Sequence, residues 1–208
     1  MAIRSKWLLA VVLCLSFTAA AALIWRHQLQ ADPVLATGTF VEPRSRLADF
    51  SLIDHHGRPF TGANLLGHWS MVYFGYTNCP DLCPATLTIL AAMEKKLRAA
   101  GSPVRPQVIF VTADPGRDTP AQLAGYVPYF DPEFIGLTAQ SQATIESFAS
   151  QLGIEVDLVH QADGSYTVEH SAAILVIDPN GRLAAVLTGP FNASALQADF
   201  RSIAGAHS

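Results

Sequence analysis

The chain has 208 residues, half of them hydrophobic and only 14% charged, with a formal net charge of −4. That length suits one domain with its own core plus a targeting segment. With acids in excess and no basic cluster beyond the N-terminus, nucleic acid is excluded as an expected partner.

Residues 1–6 carry Arg4 and Lys6 and read as a cytoplasmic N-terminus. Residues 7–25, from Trp7 to Trp25, contain no charge. A helix of about 19 residues just spans a hydrocarbon core. The two tryptophans bracket it as interfacial aromatics do, and the preceding cations favour translocation of the chain beyond Trp25. One transmembrane anchor is therefore expected, crossing the membrane once, with the remaining chain translocated. The rival reading is a cleaved signal peptide, for which Ala19–Ala22 offers a small-residue cleavage site. Both readings put the domain outside the cytoplasm. Residues 26–46, with Pro33, Gly38 and Pro43, show no steady periodicity and read as a tether. The domain is expected over 47–204.

Within it, Phe50–Ile53 reads as a strand, His55–Arg58 as a turn and Pro59–Thr61 as the return arm of an N-terminal hairpin. Met71–Tyr76 is a buried strand. From Cys83 to about Ala99, apolar positions at Leu87, Leu90, Ala91 and Leu97 form a helical stripe closed by Gly101. Gln107–Ala113 is a second buried strand. Thr119 and Pro120 supply an N-cap and a first helical residue for a helix carrying Leu123, Tyr126 and Val127. A short strand, Phe134–Leu137, and a helix, Ser141–Leu152, come next. Glu155–Val159 and Tyr166–Val168 flank an Asp163-Gly164 turn. Ala172–Ile177 is an apolar strand that turns at Pro179-Asn180-Gly181 into Arg182–Leu187, and Ser194–Ile203 is the last helix. This alternation defines an α/β protein with a mixed central sheet flanked by helices.

The chain has three cysteines. Cys14 lies in the apolar N-terminal run and reads as a small membrane-helix residue. Cys79 and Cys83 are thus the whole thiol chemistry of the domain, placed where a strand meets a helix. At i, i+4 their Cβ atoms come about 5–6 Å apart, in reach of a disulfide or a shared soft metal. The helix N-terminus favours thiolate over thiol. A structural bridge closing so short a loop would restrain the unfolded chain little. In an oxidising compartment the pair rests as a disulfide unless it is reduced or metallated.

Seven histidines are candidates for a further ligand. His27 and His207 sit near the membrane edge and the chain end. His55 and His56 fall in a turn and are expected to be solvated, and His160 borders another turn. His68 precedes the cysteine strand at its amino end, away from the thiols. His170, just before the apolar strand Ala172–Ile177, can face the cysteine loop, as a ligand or as a locally satisfied loop residue. Asp81 either tunes the thiols or simply complements the helix dipole. Asp114 and Arg117 are expected to organise a loop through a salt bridge or turn. Met71 falls in a core strand and Met93 on a helix, so neither builds a methionine-rich metal site.

The stretch Tyr73-Phe74-Gly75-Tyr76-Thr77-Asn78-Cys79-Pro80-Asp81-Leu82-Cys83-Pro84 resembles the signature of the Sco/SenC family of copper chaperones. Thr112-Ala113-Asp114-Pro115-Gly116-Arg117-Asp118-Thr119-Pro120 and Val168-Glu169-His170-Ser171 resemble two further family stretches, in the same order, and Phe134-Ile135-Gly136-Leu137-Thr138 fits as well. The resemblance covers about Leu47 to Ala204 plus the anchor. It implies a thioredoxin-like fold and copper, as Cu(I), Cu(II) or both, held by Cys79, Cys83 and His170. It implies delivery of copper to the CuA centre of cytochrome c oxidase, or reduction of the cysteines there. Expected partners are the CuA-bearing subunit, other copper chaperones and a thiol reductant. Glu169 stands where members often have Asp, and Asn78 where a histidine is common in bacterial members.

Two enzymatic readings compete with a chaperone. In a thiol–disulfide oxidoreductase, Cys79 attacks and Cys83 resolves. Against it, three residues rather than two separate the thiols, and no proline follows His170. In a peroxidase on the same fold, Cys79 would be the peroxidatic thiol.

Overall fold

Strand β4, Ser70–Gly75, is buried along its whole length, and its side chains alternate between two cores. Met71 and Tyr73 enter one apolar cluster, Val72 and Phe74 the other. The computed structural model describes residue 17, residues 34–42, 46–161 and 166–206, the side chains of His160, Glu169 and His170 falling outside the description. The anchor expected at 7–25 lies outside these residues apart from Phe17, as do the N-terminus at 1–6 and the tether at 26–33. Among the described residues no helix is long and apolar enough to cross a membrane. The described residues from 34 onward form one compact unit.

In chain order, β1 is Gly38–Phe40, β2 Ser51–Asp54, β3 Pro59–Thr61 and β4 as above. Helix α1 spans Leu82–Ala99, β5 Gln107–Thr112, α2 Pro120–Tyr126, β6 Ile135–Thr138 and α3 Gln142–Gln151. Strands β7, Val156–His160, and β8, Tyr166–His170, precede β9, Ile174–Ile177, β10, Leu183–Leu187, and α4, Ala193–Gly205. Eight strands form one sheet in the order β1-β10-β9-β4-β5-β6-β2-β3, while β7 and β8 pair separately. β4, β5 and β6 run parallel, with antiparallel β9 and β10 on one side and the β2–β3 hairpin on the other. This is the expected thioredoxin-like α/β arrangement with a mixed sheet and an added N-terminal hairpin.

The Thr119 cap expected from sequence is in place, and Ser141 supplies another. The Thr119 side chain accepts the Gln122 N–H at 3.2 Å with Pro120 opening α2, and Ser141 caps α3 through Thr144. On one face of the sheet, α1 and α4 bury Leu87, Leu90, Leu97, Leu196, Phe200 and Ile203. On the other, α3 buries Ile145 and Phe148.

The segment read as tether needs correction over 34–42. Leu35 is buried, and β1 adds an edge strand antiparallel to β10. Asp199, buried on α4, fixes it by accepting the N–H groups of Ala36 and Thr37, each at 2.8 Å, and the Thr37 hydroxyl at 2.5 Å. Gly38 is required there, because a Cβ would lie 2.2 Å from the Val186 carbonyl oxygen.

Candidate metal centre

The thiol loop is built where β4 runs out. Cys79 N–H donates to Tyr76 O at 3.2 Å, and α1 begins at Leu82, placing Cys83 in its first turn. The Cys83 N–H points at Cys79 Sγ, 3.4 Å away. Cys83 is wholly buried and Cys79 half-buried, both as free thiols. Gly75 leaves the room Cys83 needs: a Cβ there would lie 2.9 Å from Cys83 Sγ and 2.7 Å from the Phe110 ring. The Tyr73 hydroxyl donates to Cys83 Sγ at 3.8 Å.

The two thiols are chemically unequal. Burial disfavours the Cys79 thiolate, but the Cys83 N–H and thiol and the N–H groups of Asp81 and Leu82 outweigh it and hold Cys79 below the usual thiol range. Burial pushes Cys83 up to about 12. The helix N-terminus therefore favours thiolate at Cys79, as expected, whereas at Cys83 burial wins. A reduced full-length chain treated with iodoacetamide near neutral pH is expected to be alkylated at Cys79 at least about tenfold faster than at Cys83. Equal rates in peptide mass mapping would contradict the asymmetry.

A second loop steadies the first. The Asp118 carboxylate, buried, accepts the Thr77 N–H at 2.9 Å, the Thr77 hydroxyl at 2.6 Å and the Thr112 hydroxyl at 2.6 Å. Asp118 thus ties the residue two before Cys79 to the end of β5. From sequence it reads only as part of a helix start, although its place in Arg117-Asp118-Thr119-Pro120, just after the strand beside β4, was an available signal. Asp114 and Arg117 form the expected ion pair. A second residue missed by sequence reasoning is Tyr126, whose buried hydroxyl has no hydrogen-bond partner among the described residues. Burial, then the charges of Cys83 and Cys79, push its ionisation upward, and its ring packs against the same apolar cluster as the pair.

The histidines separate by position. His55 is a correction: rather than being solvated it is buried, and its Nδ1 accepts the Gly136 N–H at 2.9 Å. Burial, with the neighbouring His56, holds it below the usual imidazole range. His55, exposed His56 and exposed His68 line a cavity of about 580 Å³ at the amino end of the parallel strands, opposite the thiols. The backbone of His170 ends β8, paired with Val156. Four residues later Ile174 opens β9 opposite Tyr73 of β4, the residue whose hydroxyl meets Cys83. Because β9 runs antiparallel to β4, the chain enters the sheet from His170 at the end where β4 delivers the thiols. Four extended residues span about 13 Å. Among the described side chains no group of three or more His, Cys, Asp or Glu is arranged to hold a metal; the His170 side chain is not among them.

Fold and thiol placement define a class: a thioredoxin-like α/β protein with an unequal thiol pair at the first strand-to-helix junction of its parallel core. A family model described as SCO1/SenC matches residues 41–205, and the chain belongs to that family. A Stutzerimonas stutzeri protein named for copper binding is 34% identical over 156 residues, covering 74% of this chain and 76% of its own. The mitochondrial SCO2 homolog of Mus musculus is 38% identical over 133 residues, 64% of this chain, and the match spans 52% of that protein. Arabidopsis thaliana ScoI with copper bound superposes with a TM-score of 0.71 at 33% identity, covering 77% of this chain and 99% of that one. Yeast Sco1 with copper bound gives 0.67 at 30% identity, covering 76% and 87%.

Proposed function

We propose that this protein is a copper chaperone that holds one copper ion through Cys79, Cys83 and His170 and hands it on by ligand exchange. The observation that carries the reading is the thiol pair lying at the sheet end where the His170 backbone enters β9. Two sulfur donors suit Cu(I), and a neutral imidazole extends the set to Cu(II). The copper-bound relatives support the same cargo. Half-buried Cys79 is the donor an incoming thiolate can reach, while Cys83 stays shielded. The proposed recipient is the CuA-bearing subunit of cytochrome c oxidase, met in the periplasm by a domain anchored through residues 7–25; other copper chaperones and a thiol reductant serve the same site.

The inequality of the two thiols also favours a second reading, a thiol–disulfide oxidoreductase acting on the CuA-site cysteines or other exported thiols. Lowered Cys79 suits attack and raised Cys83 suits the resolving role. The two activities are compatible, since metal binding requires reduced thiols. The test is a titration of the reduced full-length chain with Cu(I) and then Cu(II). About one equivalent is expected to bind, and prior alkylation of the pair should abolish it. Binding of neither ion would end the chaperone reading. Efficient catalytic reduction of a disulfide peptide by the copper-free protein would favour the oxidoreductase.

A further inference from the structure

The hairpin that carries His170 is not part of the eight-stranded sheet; β7 pairs only with β8. Something other than ladder hydrogen bonds must therefore fix it relative to the thiol loop. Val168, buried at the centre of β8, and Val156 pack into the core behind it, but apolar contact alone is not directional. Directional contacts come from Tyr166 at the start of β8. Its hydroxyl donates to Asp114 Oδ1 at 3.0 Å, and the Arg117 guanidinium stacks over its ring, 4.2 Å from the centroid. Arg117 is in turn ion-paired with Asp114, so one carboxylate and one cation clamp one aromatic ring from its edge and its face.

The same turn holds the thiols. The N–H groups of Arg117 and Asp118 close it on the Asp114 carbonyl at 3.2 and 2.9 Å. The Asp114 N–H rests on the Thr112 hydroxyl, which itself donates to Asp118. Asp118 then grips Thr77 of the cysteine loop. Residues 114–118 thus bind the His170 hairpin on one side and the cysteine loop on the other.

We propose that Tyr166 is a positioning residue that, through Asp114 and Arg117, locks the β7–β8 hairpin in register with the thiol loop and so sets the copper geometry. This rests on the copper reading above. The hydrogen bond fixes distance and the stacked cation fixes ring orientation. Supporting contacts of this kind commonly govern metal affinity without touching the metal.

The test uses the full-length chain and Tyr166→Phe, which keeps the ring under Arg117 and removes only the hydroxyl, with Arg117→Ala as the complementary variant. Amide hydrogen exchange is followed across 156–170 and across α1. Expected are faster exchange in the hairpin and unchanged exchange in α1. Cys79 alkylation is expected to keep its wild-type rate. Cu(II) affinity should fall about tenfold with an altered EPR hyperfine pattern, while Cu(I) stoichiometry persists. Wild-type hairpin exchange in both variants would overturn the lock. Faster exchange with an unchanged Cu(II) spectrum and affinity would overturn the positioning role. Wild-type protein that binds no copper would overturn the copper reading instead, and the exchange arm would still decide whether Tyr166 pins the hairpin.

Discussion

Replacing Asp118 by alanine is expected to destabilise the fold by about 3 kcal/mol or more, because three hydrogen bonds to one buried carboxylate disappear together. The wholly buried Thr112 hydroxyl loses its acceptor, and the Thr77 N–H at the root of the thiol loop is left facing a void. For a domain of this size the loss corresponds to a fall in Tm of about 10 °C. Asp118→Asn keeps one acceptor oxygen and should recover about half of the loss. Differential scanning calorimetry gives the readout, and the loop supplies a second. Once Thr77 is released, the alignment of the Cys83 N–H with Cys79 Sγ loosens, and Cys79 alkylation near neutral pH should slow. An alanine variant with wild-type Tm would show that the loop is held by something else.

A second large effect is expected at Glu94, far along α1 from the thiols. It is buried between Arg105, at 3.2 Å, and Arg98, at 3.9 Å, with Asp131 and Glu133 close to the same cations. One of its oxygens has no hydrogen-bond partner among the described residues. Burial raises its pKa from 4.5 to about 7, against the pull of the two arginines and with Asp131 adding to the rise. Below pH 4.5 both folded and unfolded chains carry the proton and Glu94 costs nothing through ionisation. Between 4.5 and about 7 the folded form keeps a proton that the unfolded chain releases, so stability falls as pH rises. Above that window the penalty is complete, roughly 3 kcal/mol. Glu94→Gln should therefore match wild type near pH 4 and exceed it by about 3 kcal/mol at pH 8, measured from urea midpoints. A variant less stable than wild type at pH 8 would mean that the ion pairs outweigh the burial.

The elements visible in the sequence were those with local signals. Periodicity marks α1 through Leu87, Leu90 and Leu97, unbroken apolar runs mark β4, β5 and β9, and Thr119-Pro120 marks the start of α2. β1 escaped because its support is distant: Asp199 lies more than 160 residues from the backbone it holds. His55 looked solvated because a turn is usually wet, and its burial depends on β6 passing beside it. The thiol pair was legible as a site from spacing alone. Its inequality was not, since Cys83 becomes unlike Cys79 only when Tyr73 and Phe110 close over it. Asp118 and Tyr166 look like loop and strand residues until the turn at 114–118 joins two segments, the cysteine loop and the β7–β8 hairpin, that α1, α2 and α3 separate in the chain.

Cu(II) EPR on reduced full-length wild type and His170→Ala decides whether the two thiols and His170 share one copper ion. Wild type is expected to give a sulfur-ligated Cu(II) signal saturating near one equivalent, and the variant to lose it or to show a different hyperfine pattern. The same signal, at the same stoichiometry, in His170→Ala would contradict a shared site.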